Sequence, residues 1–219
     1  MYYLLEWLNG LLRLENVSAV LGSLRRRILG QNFLEMRITL KNKTVFPPVW
    51  GDLEIRGYSE HLEKQCISLL NSIGSLGLWY PSRFKKEILS SVEDPKNDIF
   101  AVYDGSSVIG FAVLHKKSQS NNLPEIGYVA VRPESRGKKL GYKLLMYILA
   151  EMKKRSIYQA YLKTDSFRLP AIKTYLKVGF HPYIKDEKER RRWQEAMDKL
   201  EVSLGGSGEG KNNTKIVQK

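Results

Sequence analysis

Between Glu125 and Gly141 the chain reads E-I-G-Y-V-A-V-R-P-E-S-R-G-K-K-L-G, and this stretch leaves few folds open. The run from Ile126 to Val131 is almost wholly apolar and is stopped by Pro133, which predicts a strand buried on both faces. From Leu140 onward, Leu140, Leu144, Leu145, Ile148, Leu149 and Met152 recur at the spacing of one helical face. The order is strand, cationic turn, helix. A helix N-terminus exposes unpaired N–H groups and the positive end of its dipole, which together hold phosphate. Gly137 and Gly141 let backbone come close to an anion, and Arg136, Lys138, Lys139 and Lys143 surround it with charge. A diphosphate suits such a turn; a basic βα turn that merely faces water is the plainer alternative.

The run from Val131 to Gly141, V-R-P-E-S-R-G-K-K-L-G, resembles the coenzyme A loop of the Gcn5-related N-acetyltransferase (GNAT) superfamily, Arg/Gln-x-x-Gly-x-Gly/Ala after a V-x-P strand end. Arg136 and Gly141 match the ends of that signature, while Lys139 replaces its middle glycine. A lysine there still donates its N–H if its backbone angles suit an L-residue. The resemblance implies acetyl-CoA as acyl donor, without a metal. It places the donor on Val129, Ala130, Val131, Arg136, Gly137, Lys138, Lys139, Leu140, Gly141 and Arg168. Arg168 stands where the superfamily often has Asn, and Leu162 to Ile172, L-K-T-D-S-F-R-L-P-A-I, resembles a subset carrying D-x-F-R-L-P-A-I.

Moving an acetyl group from a thioester to an amine requires a base for the amine proton and an acid for the departing thiolate. Glu125 opens the central strand, and its carboxylate can serve as base directly or through a water; an ordinary solvated strand-end carboxylate is the alternative. The resemblance favours the base, because members of the superfamily often carry it at the first residue of an E-I-x-x-x-A-V strand. Tyr175 lies in A-I-K-T-Y-L-K-V-G-F, similar to the superfamily's A-x-x-x-Y-x-x-x-G-F helix end, where the hydroxyl approaches the coenzyme A sulfur. A phenol can protonate a thiolate without being ionised at neutral pH, so Tyr175 is read as the acid, against simple core packing. The backbone N–H of Val131 or its neighbour is read as the donor that holds the thioester oxygen.

Upstream, Glu35 to Phe46 contains an M-R-I-T-L alternation that suggests a strand, ended by Pro47 and Pro48. Leu53 to Gly57 reads as the first strand of the main domain. Ser59 caps a helix to about Ile73, and Pro81 opens another to about Val92. In the superfamily these two helices commonly line the acceptor site, which makes Trp79, Tyr80, Arg83 and Phe84 candidate substrate contacts. Ile99 to Tyr103 and Val108 to Leu114 flank D-G-S-S and predict a hairpin. Ser118 to Pro124 is a polar loop, Ile157 to Leu162 a strand, and Pro170 to Gly179 a helix with its stop. Lys185 to Leu200 is a charged helix with Trp193 and Met197 on one side, folded back on the domain, and the Gly/Ser-rich end is expected to be disordered.

These elements give an α/β fold, a single mixed central sheet flanked by helices with an N-terminal extension. The expected organisation is residues 1–51 as extension, 52–184 as the GNAT domain, 185–202 as the charged helix and 203–219 as tail. The 219 residues carry 42% hydrophobic and 27% charged side chains and a formal charge of +13, which suits a soluble domain with anionic partners. No zinc-finger spacing or aromatic base platform accompanies the charge, so nucleic acid is not the expected partner. Residues 1–14 read as an amphipathic helix packing on the domain or on a second copy in a homodimer. With Arg25, Arg26 and Arg27 following, membrane-surface contact through residues 1–30 is the less favoured reading. Cys66, the single cysteine, suits buried packing and a reducing cytoplasm, and His61, His115 and His181 have no metal-ligand spacing and are given surface or core roles. The expected activity is acetyl transfer to a primary amine of a small molecule or amino acid. A protein N-terminus or lysine is the second acceptor class, and a non-catalytic acyl-CoA-binding module the competing kind of protein.

Overall fold

The computed structural model describes residues 33–74, 76–116 and 122–205, with backbone alone from 202. The expected helix over 1–14, most of the 118–124 loop and residues 206–219 of the expected tail lie outside the described residues. The strands are β1 (Phe33–Thr39), β2 (Glu54–Gly57), β3 (Ile99–Asp104), β4 (Ser107–His115), β5 (Glu125–Val131), β6 (Gln159–Asp165) and β7 (His181–Tyr183). The helices are α1 (Glu63–Ser72), α2 (Pro81–Glu87), α3 (Pro95–Asp98), α4 (Leu140–Lys154), α5 (Leu169–Val178) and α6 (Glu187–Gly205). They flank one seven-stranded sheet of order β2-β3-β4-β5-β6-β1-β7.

The tight Asp104–Gly105 turn brings β3 and β4 together antiparallel, and β5 adds to β4 in the same sense. A strand that runs parallel to its neighbour needs a crossover, and α4 supplies it between β5 and β6. β1 comes from ahead of residue 52 yet lies inside the sheet, antiparallel to β6 from Phe33 opposite Asp165 to Thr39 opposite Gln159, and to β7 on its other side. The sheet thus crosses the boundary read at residue 52. Alternation along β1 explains its place: Leu34, Met36 and Ile38 enter the core, while Glu35 on the other face meets Arg37 at 2.9 Å and Lys185 at 3.5 Å.

Two apolar layers sandwich the sheet. On one face Leu140, Leu144, Leu145, Ile148, Leu149 and Met152 of α4 pack with Ile172 and Tyr175 of α5 and Trp193, Ala196 and Leu200 of α6. On the other, Cys66, Leu69 and Leu70 of α1 and Phe84 of α2 pack with Ile99, Ala101, Phe111 and Val113. Cys66 is fully buried, and burial pushes its thiol up to about 12.

β5 departs from the expectation of a strand buried on both faces. Only Ile126 and Ala130 are buried, whereas Gly127, Tyr128, Val129 and Val131 remain half-exposed. The cause is the company it keeps. Among the described residues β5 bridges β6 at one place, Glu125 opposite Tyr161, after which the two parallel strands diverge. On its other edge the register against β4 shifts between Phe111 and Val113, and Tyr128 takes a left-handed φ of 50° there. An apolar strand with a gap along one edge cannot be closed in by neighbours.

Candidate active site

The gap between β5 and β6 opens toward the C-terminal ends of both strands, where α4 and α5 begin. The chain leaves β5 through Arg132, whose Nε holds Val108 O at 2.7 Å, and turns over Pro133–Ser135 as a single 3-10 turn. Arg136, Gly137, Lys138 and Lys139 then stand exposed. Gly137 has φ 82° and Lys139 has φ 59° and ψ 20°, so the lysine occupies the left-handed conformation that a glycine would take without strain. Among the described residues, the first amide of this turn and helix to reach a backbone acceptor after Arg136 is that of Lys143, on Lys139 O at 3.0 Å. The N–H groups from Gly137 to Tyr142 are left for a ligand, ringed by lysines, and a Cβ built on Gly137 or Gly141 meets nothing within 4 Å. This open, cationic cradle fits a diphosphate. Arg168 stands at the start of α5 and holds the buried Asp165 at 2.7 Å.

Glu125 and Tyr175 sit in different layers. Residues directly opposite in an antiparallel pair share a face, and Glu125 is opposite His115. His115 is 5.5 Å from the ring of Tyr128, which packs on the α1–α2 layer. Glu125 is therefore on that side. Tyr175 belongs to the α4–α5 layer, 8% exposed, and burial pushes its phenol up to about 12 although the Arg168 charge draws it down. The way from one to the other is the gap along the β6 edge of β5, bordered by the half-exposed Val129 and Val131 and the buried Ala130.

Of the four candidate acceptor contacts, Phe84 is fully buried and Trp79 is 2% exposed, so both back the wall, whereas Tyr80 and Arg83 are partly exposed. Arg83 is tightly held: its Nε and Nη2 donate to Glu87 at 2.9 and 3.2 Å, its Nη1 donates to Leu78 O at 2.6 Å, and its guanidinium lies 4.1 Å over Trp79. Tyr128 OH donates to Glu87 at 3.0 Å, and burial, with the Glu87 charge, pushes this phenol upward. Sequence reasoning missed Glu87, Tyr128 and His115. An end-of-strand histidine across a hairpin from Glu125 was the available signal, but it needs the register. Among the described residues no group of three or more His, Cys, Asp or Glu could hold a metal, and no helix is long and apolar enough to cross a membrane.

A family model described as the acetyltransferase (GNAT) family matches residues 64–180, more than half of the 219. A mycothiol acetyltransferase from Thermobispora bispora is 27% identical over 146 residues, covering 65% of this chain and 45% of that protein. In fold, the chain is similar to a GCN5-related N-acetyltransferase from Sphaerobacter thermophilus (TM-score 0.59, 18% identity, 69% of this chain and 48% of the other). It is also similar to the ribosomal-protein-S18-alanine N-acetyltransferase of Escherichia coli (TM-score 0.50, 16% identity, 60% and 79%). The chain spans about half the length of the first two relatives.

Proposed function

The chain belongs to the acetyltransferase (GNAT) family, and from that premise we propose that it transfers an acetyl group from acetyl-CoA to a primary amine of a small molecule or amino acid. The observation that carries this reading is the cradle of left-handed Gly137 and Lys139 at the open start of α4, beside the gap between β5 and β6. Its amides and lysines would hold the diphosphate, and the free β5 edge near Val131 would hold the pantetheine arm and the thioester oxygen.

Bound acetyl-CoA supplies a thioester whose acyl carbon forms the new C–N bond as its C–S bond breaks. Glu125 takes the proton that the acceptor nitrogen sheds as that bond forms. Tyr175 gives its hydroxyl proton to the leaving sulfur from the opposite layer, and its raised pKa keeps that proton in place through neutral pH. Solvent then takes the proton from Glu125 and restores the one on Tyr175. Trp79 and the Arg83–Glu87–Tyr128 network form the rigid wall behind the acceptor. The relatives' names point to two acceptor classes, mycothiol and a protein's alanine, so the acceptor rests on assay.

Titration calorimetry with acetyl-CoA tests the cradle. Gly137→Ala and Gly137→Glu both place a side chain at φ 82°, but only the second adds negative charge. Micromolar binding by the wild type, reduced by alanine and abolished by glutamate, supports the reading; absence of binding in the wild type removes it. A CoA-release screen over small amines, amino acids and N-terminal and lysine peptides then finds the acceptor. With it, Tyr175→Phe should lower kcat by about 10- to 1000-fold with acetyl-CoA affinity unchanged. Binding with no turnover on any amine leaves the acyl-CoA-binding module.

A further inference from the structure

His115 lies across the β4–β5 ladder from Glu125 and takes no part in the mechanism above. Its Nδ1 is 2.5 Å from Ser91 Oγ. The Ser91 hydroxyl has one hydrogen and two acceptors within reach, His115 Nδ1 and, at 2.7 Å, Ile88 O. With that hydrogen on Ile88 O, Ser91 Oγ accepts from His115, the proton is on Nδ1 and Nε2 carries a bare lone pair, the tautomer that an acceptor role for Nε2 requires. That nitrogen is seated over Gly127: a Cβ built there would stand 2.5 Å from Nε2. Gly127 is two residues along from Glu125 and next to the register shift at Tyr128, so Nε2 lies on the same face of the sheet as the proposed base. The groups around the ring are Ser91 before β3, Glu125 and Tyr128 of β5, and Glu87 of α2 behind Tyr128. Burial holds the imidazole down at about 4, so the ring is neutral near neutral pH.

We propose that His115 Nε2 is a second hydrogen-bond acceptor for the nitrogen of the acceptor, beside Glu125, and that the pair selects primary amines over N-alkylated ones. This rests on the functional reading given above. A neutral primary amine has two N–H donors and one lone pair. With one N–H on His115 Nε2 and the other toward Glu125, the lone pair is left for the acyl carbon. As the C–N bond forms, the proton on the Glu125 side passes to the carboxylate, and the amide keeps the N–H held by His115. An N-methyl amine has a single N–H and cannot satisfy both, so one acceptor is left without a partner.

The first test needs no acceptor. 15N NMR of the histidine-labelled protein, with the His115 signals identified by their loss in His115→Gln, should show a protonated Nδ1 and an unprotonated Nε2 from pH 8 to pH 5. A proton on Nε2, or an imidazolium at pH 6, overturns the proposal. The second uses the best amine from the CoA-release screen and its N-methyl derivative. His115→Leu should lower kcat/KM for the primary amine by about 10- to 100-fold and narrow its advantage over the N-methyl form, with acetyl-CoA affinity unchanged. His115→Gln, which keeps an acceptor atom, should recover part of both. Gly127→Ala, which displaces the ring without altering it, should behave like His115→Leu. A wild type that acetylates the amine and a His115→Leu variant that does so equally well overturn this inference alone. A wild type that binds acetyl-CoA and acetylates no amine overturns the functional reading and this inference with it.

Discussion

Lys139 holds a conformation that its chemistry disfavours, and replacing it separates backbone from charge. At φ 59° and ψ 20° its Cβ crowds the following carbonyl, which costs an L-residue about 1–2 kcal/mol. Glycine is free of that cost but loses about 0.5–1 kcal/mol through the greater freedom of the unfolded chain. Lys139→Ala and Lys139→Gly remove the same charge, and only glycine relieves the strain. Lys139→Gly should therefore be more stable than Lys139→Ala by about 0.5–1 kcal/mol. In a chain of this size that is a difference of about 1–4 °C in Tm, read by calorimetric scanning without ligand. The two variants should lose acetyl-CoA affinity equally, by about 2- to 10-fold, because each takes one exposed cation from the cradle. An alanine variant as stable as the glycine one would refute the left-handed geometry, and with it the claim that this loop presents its amides as a glycine loop does.

Two further outcomes bear on the fold and its pH dependence. Trp193 of α6 is 1% exposed, and Trp193→Ala should destabilise the protein by about 3–5 kcal/mol in urea titrations, as a core residue does; a loss under 1 kcal/mol would mean that α6 is only laid on the surface. Burial lowers His115 from 6.5 to about 4 in the folded chain, so the unfolded chain takes the proton first. Its contribution is complete above pH 6.5 and is lost as pH falls toward 4, at most about 3 kcal/mol, and His115→Gln should flatten that part of the stability profile.

What the sequence revealed was local. The hairpin of β3 and β4 follows from Asp104–Gly105 between apolar runs, and α4 and α5 follow from spacing and their punctuation by Pro170 and Gly179. The M-R-I-T-L alternation marked β1, but nothing near it could place β1 between β6 and β7, because that pairing joins residues more than a hundred positions apart. β5 was misread for a related reason: an apolar run reports which residues avoid water, not whether the next strand stays alongside. The open cationic turn ahead of α4, the proposed donor cradle, was legible because turn and helix are contiguous. The surroundings of His115 were not, since they depend on Ser91 and on the room over Gly127.

Tyr128 ties the two halves of the site together. Its left-handed φ of 50° is costly for a bulky side chain, yet it marks the place where β5 changes register against β4 and where the strand turns from its bridge with β6. Three contacts hold it there: the hydroxyl on Glu87 at 3.0 Å, the ring edge on Trp79 at 4.9 Å and the facing His115 at 5.5 Å. Glycine at this position would relieve the backbone by about 1–2 kcal/mol but would give up the half-buried ring, worth about 1–2 kcal/mol, and leave Glu87 one donor short. These contacts thus hold the kink beside the proposed donor gap. Tyr128→Phe keeps the ring and removes only the hydroxyl bond, so it should cost about 1–2 kcal/mol and leave acetyl-CoA binding intact. Tyr128→Gly should weaken acetyl-CoA binding measurably although this residue faces the acceptor layer. Unchanged acetyl-CoA affinity in Tyr128→Gly would mean that the gap stands by itself, held by the β6 side alone.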